Sequence, residues 1–318
     1  MSNTKTTIAV LVALFGGLML GLMLGLMLGL MVARMNKAGK EQLSAKITVS
    51  AEDKPSTVYS GTVTDLDGNA IEGAKLHILR HYGIKTVSGH QGGYEMSWDP
   101  SKVPESHDIY IIARHEEKNL AAATKVGPET QTQNITLLPA VTATGTITDP
   151  DGNPIENATV YFGFTAAKGY ITSFADRSHF AADSRGIYKV PFIPPKNRYA
   201  VSFHAEGYGS KRISVNTDDA VDGVLELGSA ALSKADQSIS GVVVGPDGNP
   251  VPNVQIFRKS PGQPSGYKET DADGRFTIAV SKGDVVLSAV VKKDGTLLVG
   301  WAKVASGTED VKIVLEPR

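Results

Sequence analysis

The stretch that decides the fold is SGVVVGPDGNPVPNV at residues 240–254, and two related stretches stand earlier in the chain. Residues 60–74 read SGTVTDLDGNAIEGA, and residues 144–158 read TGTITDPDGNPIENA. The matching glycines Gly61, Gly145 and Gly241 are 84 and then 96 residues apart. A solenoid repeat would be about 20–50 residues long, so this period is the size of a domain. The sequence therefore predicts three tandem copies of one domain.

Each copy of the stretch is typical of a strand, a turn and a return into the core. Apolar and polar residues alternate around Val63 and Ile147, as in a half-buried strand. The Asp-Gly-Asn that follows predicts a turn, because glycine and asparagine tolerate positive φ. An apolar residue then leads back inward in every copy: Ile71, Ile155 and Val251.

A second recurring block is a hairpin that ends in an aromatic residue. It reads DSRGIY at 183–188, TDADGRF at 270–276 and, in shorter form, GGY at 92–94. Further alternating runs bring each copy to about seven short strands, the number found in an immunoglobulin-like sandwich. The predicted fold class is all-β, with three tandem immunoglobulin-like β-sandwich domains that are preceded by one transmembrane α-helix.

Together these blocks resemble the carboxypeptidase regulatory-like domain family over roughly residues 56–318. The third copy is most similar in the first two blocks, and the second copy has the last block at residues 199–208. The first copy departs at the hairpin aspartate, where Gln91 and Gly92 stand. The resemblance implies a transthyretin-like, or prealbumin-like, sandwich for each copy. It also implies accessory units without catalysis, located outside the cytoplasm.

Six segments follow from these patterns. They are a short N-terminal flank at 1–7, a transmembrane helix at 8–33, a polar linker at 34–55, and sandwiches at 56–140, 141–232 and 237–318.

The membrane segment is predicted from residues 8–33, a run of 26 residues without a charged side chain. About 20 residues suffice for a helix to cross the hydrocarbon core. A cleavable signal peptide is the alternative, although its apolar region is normally only about 7–15 residues long. Arg34, Lys37 and Lys40 follow the run, and the positive-inside tendency would place that side in the cytoplasm. The family resemblance favours the opposite orientation, with the C-terminal domains extracytoplasmic, in the periplasm or at the cell surface.

Four glycines fall on one face of this predicted helix. Gly17, Gly21, Gly25 and Gly29 are four residues apart, a spacing that lets a second helix approach closely. The pattern favours self-association through the transmembrane helix, whereas a generic apolar span is the simpler interpretation.

Composition excludes several classes of function. The formal net charge is -1, with 32 basic and 33 acidic residues, so no nucleic-acid partner is expected. The chain has no cysteine, which removes disulfides and thiol chemistry. No catalytic or cofactor-binding motif occurs, and we predict no enzyme activity, no cofactor and no metal.

Two patterns that could bind metal are better explained otherwise. From Asp65, Gly68 is the fourth residue, whereas an EF-hand loop needs glycine at the sixth. The aspartates therefore predict turns. His77 and His81 would lie about 13 Å apart along one strand, too far to share a metal.

The second copy differs by its aromatic content, with 11 of the 21 aromatic residues. Its stretch 165–182 contains five candidates for ligand or partner contact: Tyr170, Phe174, Arg177, His179 and Phe180. Exposed aromatics beside polar groups suit sugar rings or a partner's surface. The favoured interpretation is that these aromatics fill a larger core.

The sequence thus predicts a non-enzymatic, membrane-anchored surface or envelope protein for adhesion, scaffolding or protein interaction. Its partners would be the lipid bilayer, a second copy through the anchor, and a glycan or protein. One alternative is a carbohydrate-binding module array that uses the aromatics of the second copy. Another is an accessory subunit of a membrane enzyme complex.

Overall fold

The computed structural model describes residues 57–99, 108–127, 130–167, 169, 171–174, 179–293 and 295–318. These residues form β-strands and one short 3₁₀ helix, Thr217–Asp219. The described residues contain no helix that is long and apolar enough to cross a bilayer. The transmembrane helix predicted at 8–33, with its four glycines, lies outside the described residues.

The first sandwich pairs a three-stranded sheet with a five-stranded sheet. The small sheet has the order β4-β1-β7, and the large sheet has the order β3-β2-β5-β6-β8. The strands are β1 Thr57–Thr64, β2 Lys75–Ile78, β3 His81–Val87, β4 Gly93–Trp98, β5 Ile109–His115, β6 Leu120–Val126, β7 Ile135–Thr136 and β8 Leu138–Pro139.

The second sandwich repeats this plan with one change. Its small sheet has the order β13-β9-β16, and its large sheet has the order β11-β10-β14-β15, with β12 also paired to β10. The strands are β9 Val141–Thr148, β10 Thr159–Thr165, β11 Ile171–Ser173, β12 His179–Ala181, β13 Ile187–Ile193, β14 Arg198–His204, β15 Lys211–Asn216 and β16 Val224–Ala231.

The third sandwich returns to the plan of the first. Its small sheet has the order β20-β17-β23, and its large sheet has the order β19-β18-β21-β22-β24. The strands are β17 Gln237–Val244, β18 Gln255–Arg258, β19 Tyr267–Glu269, β20 Arg275–Val280, β21 Asp284–Lys293, β22 Thr296–Ala305, β23 Val311–Val314 and β24 Glu316–Pro317. The predicted all-β architecture with three sandwiches is confirmed for the described residues.

The small sheets explain why the recurring stretch has a glycine as its second residue in every copy, namely Gly61, Gly145 and Gly241. In each of them the central strand pairs antiparallel on one side and parallel on the other, with β7, β16 or β23. A Cβ on Gly241 would overlap the carbonyl oxygen of Val311 in the parallel neighbour. Gly61 and Gly145 meet the carbonyl oxygens of Gln133 and Gly228 in the same way. Close backbone approach, rather than positive φ, therefore requires glycine here.

The predicted aspartate turns are confirmed. Asp65 Oδ1 accepts hydrogen bonds from the backbone amides of Asp67 (3.0 Å) and Asn69 (2.9 Å), and Asp149 does the same for residues 151 and 153. Hydrogen bonds from Asn69 lower the pKa of the Asp65 carboxyl. These carboxylates thus accept the backbone hydrogen bonds of their own turns.

The hairpin of the first copy keeps its geometry although the aspartate is missing. Gly89, rather than Gln91 or Gly92 as predicted, takes the position of Asp183. Its carbonyl accepts from the Gly92 amide at 2.8 Å, as Asp183 does from Gly186. Gly92 has φ 72°, close to the 71° of Gly186. The backbone pattern is therefore retained, and only the side-chain acceptor is lost.

Candidate functional site

The five candidate residues of the second sandwich do not form one surface. Phe174 is 1% exposed, and its ring packs against Phe162 at 6.3 Å and Tyr199 at 5.7 Å. His179 is exposed and Phe180 is half-buried on β12. Tyr170 and Arg177 lie outside the described residues. Phe174 is thus a core residue and cannot contact a ligand.

Most aromatics of the second sandwich fill its interior, as the favoured interpretation had it. The fully buried rings are Phe162, Phe164, Phe174, Tyr188, Tyr199 and Phe203. Tyr199 contacts the first three of them at centroid distances of 5.2 to 5.7 Å. Aromatic pairs at such distances add about 0.5–1.5 kcal/mol beyond the burial of their area. The aromatic surplus therefore follows from packing.

The large sheets present a more informative surface on the face away from each core. Residues paired directly across a sheet point to the same side, so the paired positions form a row that we call the outer row. In the second sandwich it runs His179, Tyr161, Ser202 and Arg212. In the third it runs Tyr267, Phe257, Ser288 and Trp301. In the first it runs Lys85, His77, Ile112 and Ala123.

The outer row of the first sandwich is covered by the second sandwich. Ile112 is fully buried and belongs, with Leu79 and Tyr110, to the hydrophobic cluster of the second sandwich. The Tyr110 ring packs edge-on against Phe164 at 4.9 Å. The Tyr82 hydroxyl donates to the Ser173 carbonyl at 2.6 Å. This junction is therefore a continuous apolar core with a polar margin.

The outer face of the second sandwich meets a loop of the third. The Ser210 amide and hydroxyl both donate to the Gln263 carbonyl, at 3.0 and 2.9 Å. Ser265 Oγ lies 3.0 Å from His204 Nδ1. Gly209 allows the contact, because a Cβ there would overlap the Gly262 carbonyl oxygen. Unlike the first junction, this one is made of polar groups.

A cleft remains open at this second junction. It has a volume of about 730 Å³ and is lined by residues 202, 204, 210–214, 231–233, 259–262 and 265, and we call it the junction cleft. Burial lowers the pKa of the His204 imidazole, and Arg212 and His179 lower it further. Both influences favour the neutral form of this imidazole.

The outer row of the third sandwich is open. Trp301 is 58% exposed and Tyr267 is 52% exposed. The half-buried Phe257 ring lies 5.5 Å from Tyr267, and the ammonium of Lys259 lies 4.7 Å from the Phe257 ring. Sequence reasoning missed this row. The signal was a tryptophan at an outward position of an alternating strand, 296–305.

The described residues show no group of three or more His, Asp or Glu side chains that could hold a metal. His77 and His81 do not share a strand as predicted, because β2 ends at Ile78 and β3 begins at His81. Their rings lie 5.3 Å from Tyr82 and Trp98 respectively.

The described residues therefore offer two candidate binding surfaces, the junction cleft and the open outer row.

Comparison with solved structures gives distant likenesses to bacterial proteins. The TIE protein of Bacillus anthracis is 12% identical with a TM-score of 0.25, and the match covers 83% of this chain and 51% of that one. A streptococcal ancillary pilin is 12% identical with a TM-score of 0.28, covering 83% and 100%. BcpA, the major pilin subunit of Bacillus cereus, is 10% identical with a TM-score of 0.21, covering 83% and 99%. Such low scores do not carry function from those proteins to this chain.

No curated protein matches the sequence. A sequence model of the carboxypeptidase regulatory-like domain matches residues 142–227. This range lies within the second sandwich, between β9 and β16. The resemblance drawn from the three sequence blocks is thereby confirmed for the second sandwich, whose sequence matches the model of that family.

Proposed function

We propose that the chain is a non-enzymatic, single-pass membrane protein that presents three sandwiches for adhesion, scaffolding or protein interaction. The observation that carries this proposal is that the three outer rows are covered to different extents. The first is buried by the next sandwich, the second faces a loop of the third, and the third is left exposed with two aromatic rings. Of the three rows, the third is the one whose aromatic rings the described residues leave exposed.

A protein is the partner that this surface fits best. The matching row of the first sandwich is covered by protein, through apolar packing around Ile112 and Tyr110. Trp and Tyr are enriched in protein interfaces because they bury a large area and keep a polar tip. The residues beside Trp301 on the same face, Val299 and Leu297, are also apolar and partly exposed.

The carbohydrate alternative would use the outer row of the third sandwich instead of the aromatics of the second. Phe174 is buried and unavailable to a sugar, whereas Tyr267 and Trp301 are exposed. A glycan stacked on those rings is therefore the competing occupant of the open outer row. An accessory subunit of a membrane enzyme would use the same surface, toward a larger partner.

Photocrosslinking in intact cells would test the partner. We expect a photoreactive phenylalanine derivative at position 301 to form a protein adduct, because this position is exposed on the open outer row. The control is the same derivative at position 221, where Val221 is 72% exposed on the second sandwich. An adduct at twice the mass of the chain would identify a second copy. Equal labelling at both positions, or none at 301, would contradict a protein partner on this face.

Protease treatment would test membrane topology. If residues 8–33 anchor the chain and the domains are exported, protease added to intact cells or spheroplasts should cleave after about residue 40. The residues before the anchor should stay membrane-bound. A chain that lacks 8–33 should appear in the soluble fraction. Full protection until lysis would show that the sandwiches face the cytoplasm, as the basic residues after the anchor suggest.

A further inference from the structure

We propose that the junction cleft binds an oxyanion, a carboxylate or a phosphate or sulfate ester, carried by a hydroxyl-rich ligand such as an acidic saccharide. This site lies between the second and third sandwiches. Lys259 borders both this site and the open outer row, since its ammonium lies 4.7 Å from the Phe257 ring. Arg212 lines the cleft and is no part of the open outer row, so a change there tests this proposal separately from the proposed function.

The charge of the lining is the first reason. Among the described residues, Lys211, Arg212 and Lys259 line the cleft, and no carboxylate does. Within the described part of the chain, none of the three forms an ion pair, whereas Lys125, Lys234 and several other cations do. The whole chain has a net charge of -1, so this concentration of uncompensated positive charge is local. A cleft lined by one sign of charge focuses the field on a ligand of the opposite sign.

The hydrogen-bonding groups are the second reason. Six serines line the cleft: Ser202, Ser210, Ser214, Ser233, Ser260 and Ser265. Serine hydroxyls both donate and accept, as sugar hydroxyls do. Ser265 Oγ lies 3.0 Å from His204 Nδ1, so this imidazole also contributes a hydrogen-bonding group to the lining. A ligand with several hydroxyls and one anionic group matches this lining better than a bare ion.

The cleft also has fixed walls. Ser202 is 3% exposed and accepts a hydrogen bond from Arg212 Nε at 2.9 Å, which aims the guanidinium along the outer face. Gln263 is 5% exposed and exchanges two hydrogen bonds with the Ser281 backbone, at 3.0 and 2.9 Å. Arg258 donates to the carbonyls of Ala279 and Ser265 and so fixes the opposite wall. A volume of about 730 Å³ lies within the usual range for small-molecule sites, about 300–1,000 Å³.

Calorimetric titration of the full chain in detergent would test the site. The probes are glucose 6-phosphate, glucuronate, inorganic phosphate and neutral glucose, at low ionic strength. We expect at least one of the two anionic sugars to bind more tightly than glucose, and the pair separates phosphate ester from carboxylate. Added salt should weaken binding. Glucose binding as tightly as the anionic sugars, or no binding of any anionic probe, would overturn the proposal.

Substitutions would locate the binding. Arg212→Gln and Lys259→Gln should each weaken it by about tenfold or more, the usual effect of losing a charged hydrogen-bond donor. Lys312→Gln, on the exposed side of β23, is the matched control and should leave binding unchanged. Equal binding by all three variants would show that the probe binds elsewhere and would overturn the proposal.

A junction variant keeps the proposal testable if Arg212→Gln fails to fold. Gly209→Ala would force the Gly262 carbonyl away and open the cleft, without touching the core of either sandwich. Binding should be lost while hydrogen-exchange protection in both cores persists. Retained binding in this variant would mean that the ligand needs only one sandwich.

Discussion

Gly241→Ala is expected to destabilise the third sandwich strongly. The new Cβ would overlap the Val311 carbonyl oxygen, with the Val311 carbonyl carbon and amide also inside normal contact. Relief requires β23 to move away from β17, which breaks the parallel ladder from Gly241 to Val244. Overpacking typically costs about 1–3 kcal/mol and more where the backbone must shift, so we expect about 3 kcal/mol or more. Hydrogen exchange of the amides in β17, β20 and β23 would measure the loss.

Gly83→Ala is the matched control. Gly83 lies in β3 at ordinary φ, and no atom lies within 4 Å of an added Cβ. Because alanine restricts the unfolded chain, this variant should be neutral or slightly stabilising. A third sandwich that kept full protection in Gly241→Ala would show that the parallel pairing with β23 is not a requirement of the fold.

The parts of the fold that follow from local chemistry could be predicted from the sequence. Alternation around Val63 and Ile147, and the aspartate turn after each, depend on neighbours a few residues away. The three copies could be recognised because the same local rules recur. Even the hairpin of the first copy obeys them, since Gly92 supplies the positive φ that its counterparts Gly186 and Gly274 supply.

The candidate sites could not be predicted, because they depend on what lies across a sheet or a junction. Nothing in the sequence around Ser202 shows that Arg212 is its cross-strand neighbour or that Lys259 faces it from the next sandwich. Phe174 illustrates the same limit. An aromatic residue in a polar stretch has the same local pattern whether it is exposed or folded back into the core.

The outer rows differ in chemistry in a way that matches what covers them. In the first row, Ile112 and Ala123 are apolar, and the junction with the second sandwich covers them. The row with Ser202 and Arg212 is polar, and a cleft stays open beside it. The row with Tyr267 and Trp301 is aromatic and open. The three sandwiches therefore share a sheet plan and turn geometry but differ in the chemistry of their outer rows.

Phe174→Ala is the second substitution with a large expected effect, and it separates a packing role from a binding role. The ring is 1% exposed and lies among Phe162 and Tyr199. Truncating a buried phenylalanine to alanine costs about 3–5 kcal/mol, because apolar burial is lost and a cavity remains. The second sandwich should therefore lose stability, visible as faster hydrogen exchange in β10 and β14.

His179→Ala supplies the comparison, since His179 is exposed on the neighbouring edge strand. Surface substitutions of this kind usually change stability by less than about 0.5 kcal/mol. If Phe174→Ala acted through a lost ligand contact, both variants would weaken binding and neither would unfold the sandwich. A core role predicts that Phe174→Ala destabilises the second sandwich with or without ligand. Equal hydrogen-exchange rates in β10 of the two variants would contradict the core role, because only Phe174→Ala is expected to leave a cavity.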